Sequence, residues 1–126
     1  MKHTNLLFIS LALLTAVSTA QAYLCQVSNT TSGTIKVTIN LAACTDIEVG
    51  EVAAGQKSKI FDTGACCFAS VAVKGTSGAV KGFENKEKKP WGTPIQCFQN
   101  LNFSVYEKQE HGQTTGIGLD LYNLAG

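Results

Sequence analysis

A chain of 126 residues with 15% charged side chains and a formal net charge of +1 is long enough for one modest core and is not built on a strong field of either sign. All its basic side chains apart from the two histidines are lysines. Because the guanidinium group is the usual bidentate reader of phosphate, this argues against nucleic acid as a partner.

Met1, Lys2 and His3 open the chain with charge, Leu6 to Val17 is almost uninterrupted apolar sequence, and Ala20, Gln21 and Ala22 close the stretch. These are the three parts of a secretory signal peptide, so residues 1–22 are expected to be cleaved and residues 23–126 to form a single domain, periplasmic or secreted. The apolar run is too short for a stable membrane span, and nothing later is more apolar. With Lys2 removed, lysines and acidic residues balance.

From Tyr23 to Val27 a short first strand is predicted, followed by a polar turn from Ser28 to Gly33. Thr34 to Asn40 alternates Ile35, Val37 and Ile39 with Lys36, Thr38 and Asn40, the pattern of a strand dry on one face and wet on the other. Leu41 to Thr45 reads as an irregular connection. A weaker strand follows around Ile47 and Val49, then a short one over Lys57 to Phe61 with Ile60 inward. Phe61 to Gly75, FDTGACCFASVAVKG, holds the central strand between two turns. Its alternation assigns Cys67, Ala69, Val71 and Val73 to the core, and Cys66, Phe68, Ser70 and Ala72 to the other face.

Ala79 to Glu84 reads as a bulged or edge strand broken by Gly82. Glu84 to Pro94, ENKEKKPWGTP, drops the alternation and is the longest predicted loop. Leu101, Phe103 and Val105 then restore a strand, Gln109 to Thr115 turns around Gly112, and Ile117, Leu119 and Leu121 face inward from a last strand. Short strands between glycine-containing turns, with no helical periodicity after the leader, predict an all-β fold: a small antiparallel two-sheet sandwich of immunoglobulin-like size. A small up-and-down β-barrel is the alternative.

The five cysteines, Cys25, Cys44, Cys66, Cys67 and Cys97, all follow the leader, where oxidation persists. A bond between the neighbours Cys66 and Cys67 needs a strained ring and is discounted. The preferred pairing joins Cys67 to Cys97 and Cys25 to Cys44 and leaves Cys66 free. The first of these bridges is worth roughly 3 to 4 kcal/mol on the chain-entropy model.

Chemistry-bearing patterns are sparse. His111 is the one histidine beyond the leader, and nothing sets it beside Cys66 as a base for a thiolate. The cysteines lack the paired spacing of a zinc site, and Gly75 to Gly78 reads as a turn rather than a phosphate loop, so neither metal nor cofactor is expected. Asn29-Thr30-Thr31 and Asn102-Phe103-Ser104 match the glycosylation acceptor pattern. The best candidate binding surface is the loop carrying Lys86, Lys88, Lys89 and Trp91, cations beside an indole, suited to an anionic sugar, a lipid headgroup or a protein; the competing reading has Trp91 capping one end of the core. The expectation is a non-enzymatic exported binding module. A secreted surface-active factor engaging membranes or host surfaces, and a small hydrolase or hydrolase inhibitor, are the alternatives.

Overall fold

The computed structural model describes residues 23–92, 96–97 and 99–124; the expected leader, residues 1–22, lies outside the described residues. Seven strands follow in order: β1 Leu24–Asn29, β2 Ile35–Ala42, β3 Ile47–Val52, β4 Phe61–Asp62, β5 Cys67–Gly75, β6 Leu101–Glu110 and β7 Gln113–Asn123. They form a four-stranded sheet, ordered β4-β1-β6-β7, and a three-stranded sheet, ordered β3-β2-β5. The two sheets do not close into a barrel, so the sandwich is the correct one of the two architectures. Four of the five ladders are antiparallel, and β1 runs parallel to β6, from Cys25 opposite Leu101 to Asn29 opposite Val105. No described helix is long and apolar enough to cross a membrane.

The core forms where the alternation said it would in β2, with Ile35, Val37 and Ile39 fully buried. Full burial of such a side chain stabilises by about 1.5–3 kcal/mol. Leu101, Phe103, Val105, Ile117 and Leu119 supply the opposite sheet's contribution, and the rings of Phe68 and Phe103 meet edge to face with centroids 5.3 Å apart.

Phe68 is a correction to the alternation. Asn40 pairs with Ser70, but the next residue, Leu41, pairs with Phe68, so Ala69 is an extra residue in β5. Such a bulge reverses the facing of everything before it. Phe68 therefore turns into the core while Cys67 sits half-buried. A similar one-residue offset corrects Ile60. Between the pairs Ser28 with Lys57 and Cys25 with Phe61, the second strand has one residue more than β1, which brings Phe61 against the core and leaves Ile60 exposed.

Two other expectations change. Strand β2 continues to Ala42 because β5 pairs with it down to Cys67. Ala79 to Glu84 is not a strand: Gly78–Val80 is a single 3-10 turn that drives Val80 into the core beneath Gly75. A Cβ on Gly75 would lie 1.9 Å from the Val80 carbonyl oxygen, so this backbone approach requires glycine. At the β6–β7 hairpin, His111 and Gly112 both have positive φ, the two-residue turn that matches strand twist.

The disulfides are Cys44–Cys66 and Cys67–Cys97, with Cys25 a free, buried thiol. The second bridge is as expected; the pairing of Cys25 with Cys44 and the freedom of Cys66 are corrected. The ladder between β2 and β5 ends with Ala42 opposite Cys67. Cys44, just past one strand end, and Cys66, just before the other, thereby become neighbours. Cys25 lies inside the sandwich between Phe61 and Leu101, its ladder partners, and burial pushes its thiol up to about 12.

Candidate functional site

Strand β5 is the last of its sheet, and an uncovered margin exposes unpaired backbone groups. The segment after the 3-10 turn closes it. The Gly75 N–H donates to the Phe83 carbonyl at 2.8 Å, Asn85 N–H to the Val73 carbonyl at 2.9 Å, and Val71 N–H to the Lys88 carbonyl at 2.8 Å. Phe68 and Gln96 exchange both of their bonds, at 2.7 and 2.9 Å. The predicted loop is thus pinned along a strand margin, although its side chains do not alternate. Lys88 takes a φ of 58° to stay in this path, a conformation that disfavours a residue with a Cβ by about 1–2 kcal/mol.

Asn85 organises the segment from within. It is 2% exposed, and its Oδ1 accepts from the Glu87 N–H at 2.7 Å and the Lys88 N–H at 3.2 Å. Exchanging the two ends of the amide would aim its NH2 at two donors, so these bonds set its orientation. Its Nδ2 is buried and without a hydrogen-bond partner among the described residues. Leaving such a group unpaired costs about 1–3 kcal/mol.

Asn85 stands in the walls of two depressions. On one side a cleft of about 560 Å³ runs between this segment and the β6–β7 hairpin; Lys86, Lys88 and Lys108 line it against one acidic residue, Glu84, with Gly116 and Ile117 on the far wall. On the other a hollow of about 250 Å³ is lined by Lys36, Lys74 and Lys88, again with Glu84. The Lys108 ammonium lies 3.4 Å from the Glu87 carboxylate, an exposed pair worth at most about 1 kcal/mol and readily given up to another anion.

The predicted binding set therefore divides. Lys86 and Lys88 line the cleft, whereas Lys89 is exposed and outside the linings of both depressions. Trp91 is half-buried against the core, its ring centroid 6.3 Å from that of Phe103, and its Nε1 is buried without a partner among the described residues. Pro94, the end of the predicted loop, lies outside the described residues. Sequence reasoning missed Asn85, Lys108 and Gly116. The Asx-turn signal of Asn85 two residues before Glu87 was present in the chain; nothing local pointed to Lys108, which reaches the segment only through hairpin register.

A second polar cluster sits at the rim of the four-stranded sheet. The Glu107 carboxylate accepts from the Ser32 hydroxyl and N–H, both at 2.5 Å, from Thr114 Oγ1 at 2.8 Å and from Gln109 Nε2 at 3.2 Å. These bonds, the Ser32 hydroxyl first, hold its carboxyl down at about 2, too acidic for a general base near neutral pH. Cys66 is consumed by its disulfide, so it supplies no thiolate for His111 at the hairpin tip. No three His, Cys, Asp or Glu side chains are grouped for a metal among the described residues. Of the glycosylation patterns, the first is closed: Asn29 is 2% exposed, and its Nδ2 donates to the carbonyls of Gly33 and Val52 at 2.8 and 2.9 Å.

Neither a scan of protein-family models nor a search of curated proteins finds a match to this chain.

Proposed function

We propose that this is an exported, non-enzymatic binding module, periplasmic or secreted, that takes an anionic, acceptor-rich ligand in the cleft between residues 82–88 and the β6–β7 hairpin. The observation that carries this reading is the Asn85 amide. One end is spent holding the segment in place, the other is a buried donor without a partner among the described residues, and the residue itself stands in the wall of a cleft lined mainly by ammonium groups. The donor is closed to solvent in the unliganded chain, so a small shift of the segment brings a ligand oxygen onto it and relieves the unpaired group, while the lysines supply the countercharge. The two disulfides support an oxidising destination, in keeping with the signal-like start of the chain. The packing of Trp91 on Phe103 favours the cleft over an indole-led membrane contact.

Binding of dextran sulfate against neutral dextran, measured by calorimetry at two salt concentrations, tests the reading. Retention of the sulfated polymer alone, weakened by Asn85→Asp and Lys88→Gly but not by Lys57→Ala at the opposite margin of the four-stranded sheet, is the expected result. Equal loss from all three variants would reduce the effect to general charge. Retention on anionic vesicles with no affinity for the polymer would transfer the function to a membrane surface.

A further inference from the structure

We propose that the ligand is an acidic glycan, a sugar chain carrying ring carboxylates, which crosses β6 and β7 with one ring stacked on Tyr106 and a carboxylate held by Asn85 and Lys88. This rests on the cleft being a binding site and adds the chemistry of its occupant. The observation behind it is the way the outer face of the four-stranded sheet presents Tyr106.

Val105, Ile117 and Leu119 point into the core, so Tyr106 and its cross-strand partner Gly118 lie on the outer face. A Cβ on Gly118 would lie 2.1 Å from Tyr106 Cζ, 2.4 Å from its hydroxyl oxygen and 2.5 Å from Cε2. The phenol ring therefore lies across the strand, over a bare Cα. Gly118 is absent from the positive-φ positions, so the backbone does not demand glycine there. Glycine inside a strand costs about 0.5–1 kcal/mol relative to alanine and often marks a close approach. Here the approach is that of the ring, and Tyr106 stays partly exposed, in the wall of a shallow depression shared with Thr30, Ser32 and Glu107.

The next pair along the same face is Lys108 with Gly116. The Lys108 stem passes 3.8 Å from where a Gly116 Cβ would be, and both residues line the cleft. Two residues along a strand span about 7 Å, which sets the aromatic ring within a disaccharide's reach of the lysine-lined cleft. A flat π-face takes the C–H side of a pyranose. A ring carboxylate offers two acceptor oxygens, one for the Asn85 amide and one for an ammonium group. An acidic peptide carries carboxylates but has no such C–H face to lay on Tyr106; its natural seat is the free margin of β7, the last strand of its sheet.

Calorimetry of the oxidised, leader-free protein with tetragalacturonate, its methyl ester and a glutamate oligomer of equal charge tests the proposal. The expected pattern is binding of the free acid, loss with the ester, and a weakening of about tenfold in Tyr106→Ala, while Tyr106→Phe stays near the parent. Gly118→Val, which displaces only the free end of the tyrosine ring, is expected to weaken binding with little change in melting temperature. Undiminished tetragalacturonate binding in both Tyr106→Ala and Gly118→Val would overturn the stacking while leaving the cleft intact, provided Asn85→Asp still abolishes it. Preference for the glutamate oligomer, insensitive to Tyr106, would replace the glycan by a peptide. Failure of every anion, dextran sulfate included, would remove the cleft itself as a site.

Discussion

Replacing Cys67 and Cys97 together by alanine opens a loop of sequence separation 30, and the chain-entropy relation sets the cost at about 3.6 kcal/mol at 25 °C. The same arithmetic for Cys44 and Cys66, 22 residues apart, gives about 3.4 kcal/mol. The two loops share no residue, so their entropies add to about 7 kcal/mol, comparable with the whole stability of a small domain, about 5–15 kcal/mol. Urea unfolding followed by intrinsic fluorescence measures both parts. For Cys67→Ala/Cys97→Ala, the midpoint should fall and the slope rise, because an uncrosslinked denatured chain exposes more surface. On the thermal scale, the same variant should melt roughly 15–30 °C lower. A loss under about 1 kcal/mol with an unchanged slope would refute the argument, since it would mean that the bridge does not restrain the unfolded chain.

Native protein should show no thiol reactive toward a disulfide reagent at pH 8 and one per chain after denaturation, because Cys25 is buried with its pKa near 12; a reactive thiol in the native protein, or three after denaturation, would contradict the pairing. Gly75→Ala should destabilise by about 3 kcal/mol in denaturant titration, as the new methyl group meets the Val80 backbone rather than a side chain that can turn away; a change below 1 kcal/mol would contradict this contact. Glu107 has its carboxyl lowered from 4.5 to about 2, so its contribution is present above pH 4.5 and is lost as pH falls through 2. Glu107→Gln should therefore cost about 1 kcal/mol at pH 6, small because the group is near the surface, with the difference from the parent vanishing near pH 2 in acid titrations followed by circular dichroism. Lys88→Gly should raise stability by about 1 kcal/mol by relieving the positive φ while weakening anion binding, a trade visible by running melting and calorimetry on the same sample.

Where one residue follows another without interruption, the fold was legible in the chain. Ile35, Val37 and Ile39 announce a half-buried strand by themselves, as do Leu101, Phe103 and Val105, because neither stretch carries an extra residue of its own; the one opposite the first stretch is Val49, in β3. Phe68 and Ile60 were misassigned because an extra residue between partners is a property of two strands, and neither alone carries its signature. The cysteines divide in the same way. Adjacent side chains in an extended chain diverge, so Cys66 and Cys67 serve different partners, but the closeness of Cys44 to Cys66 depends on where the β2–β5 ladder stops. At the candidate site, Lys86 and Lys88 were visible as charge beside an aromatic ring. Asn85, Lys108 and the pairing of Tyr106 with Gly118 required the hairpin to be folded against the segment beside it.

The parallel ladder between β1 and β6 has a consequence for how this chain is made. Strand β1 occupies an inner position of its sheet, yet its long partner begins only at Leu101, near the other end. A polypeptide delivered amino end first therefore releases β1 long before β6, its main neighbour, with four strands between them. The β1–β6 ladder can close only after residues 101–105 have been released.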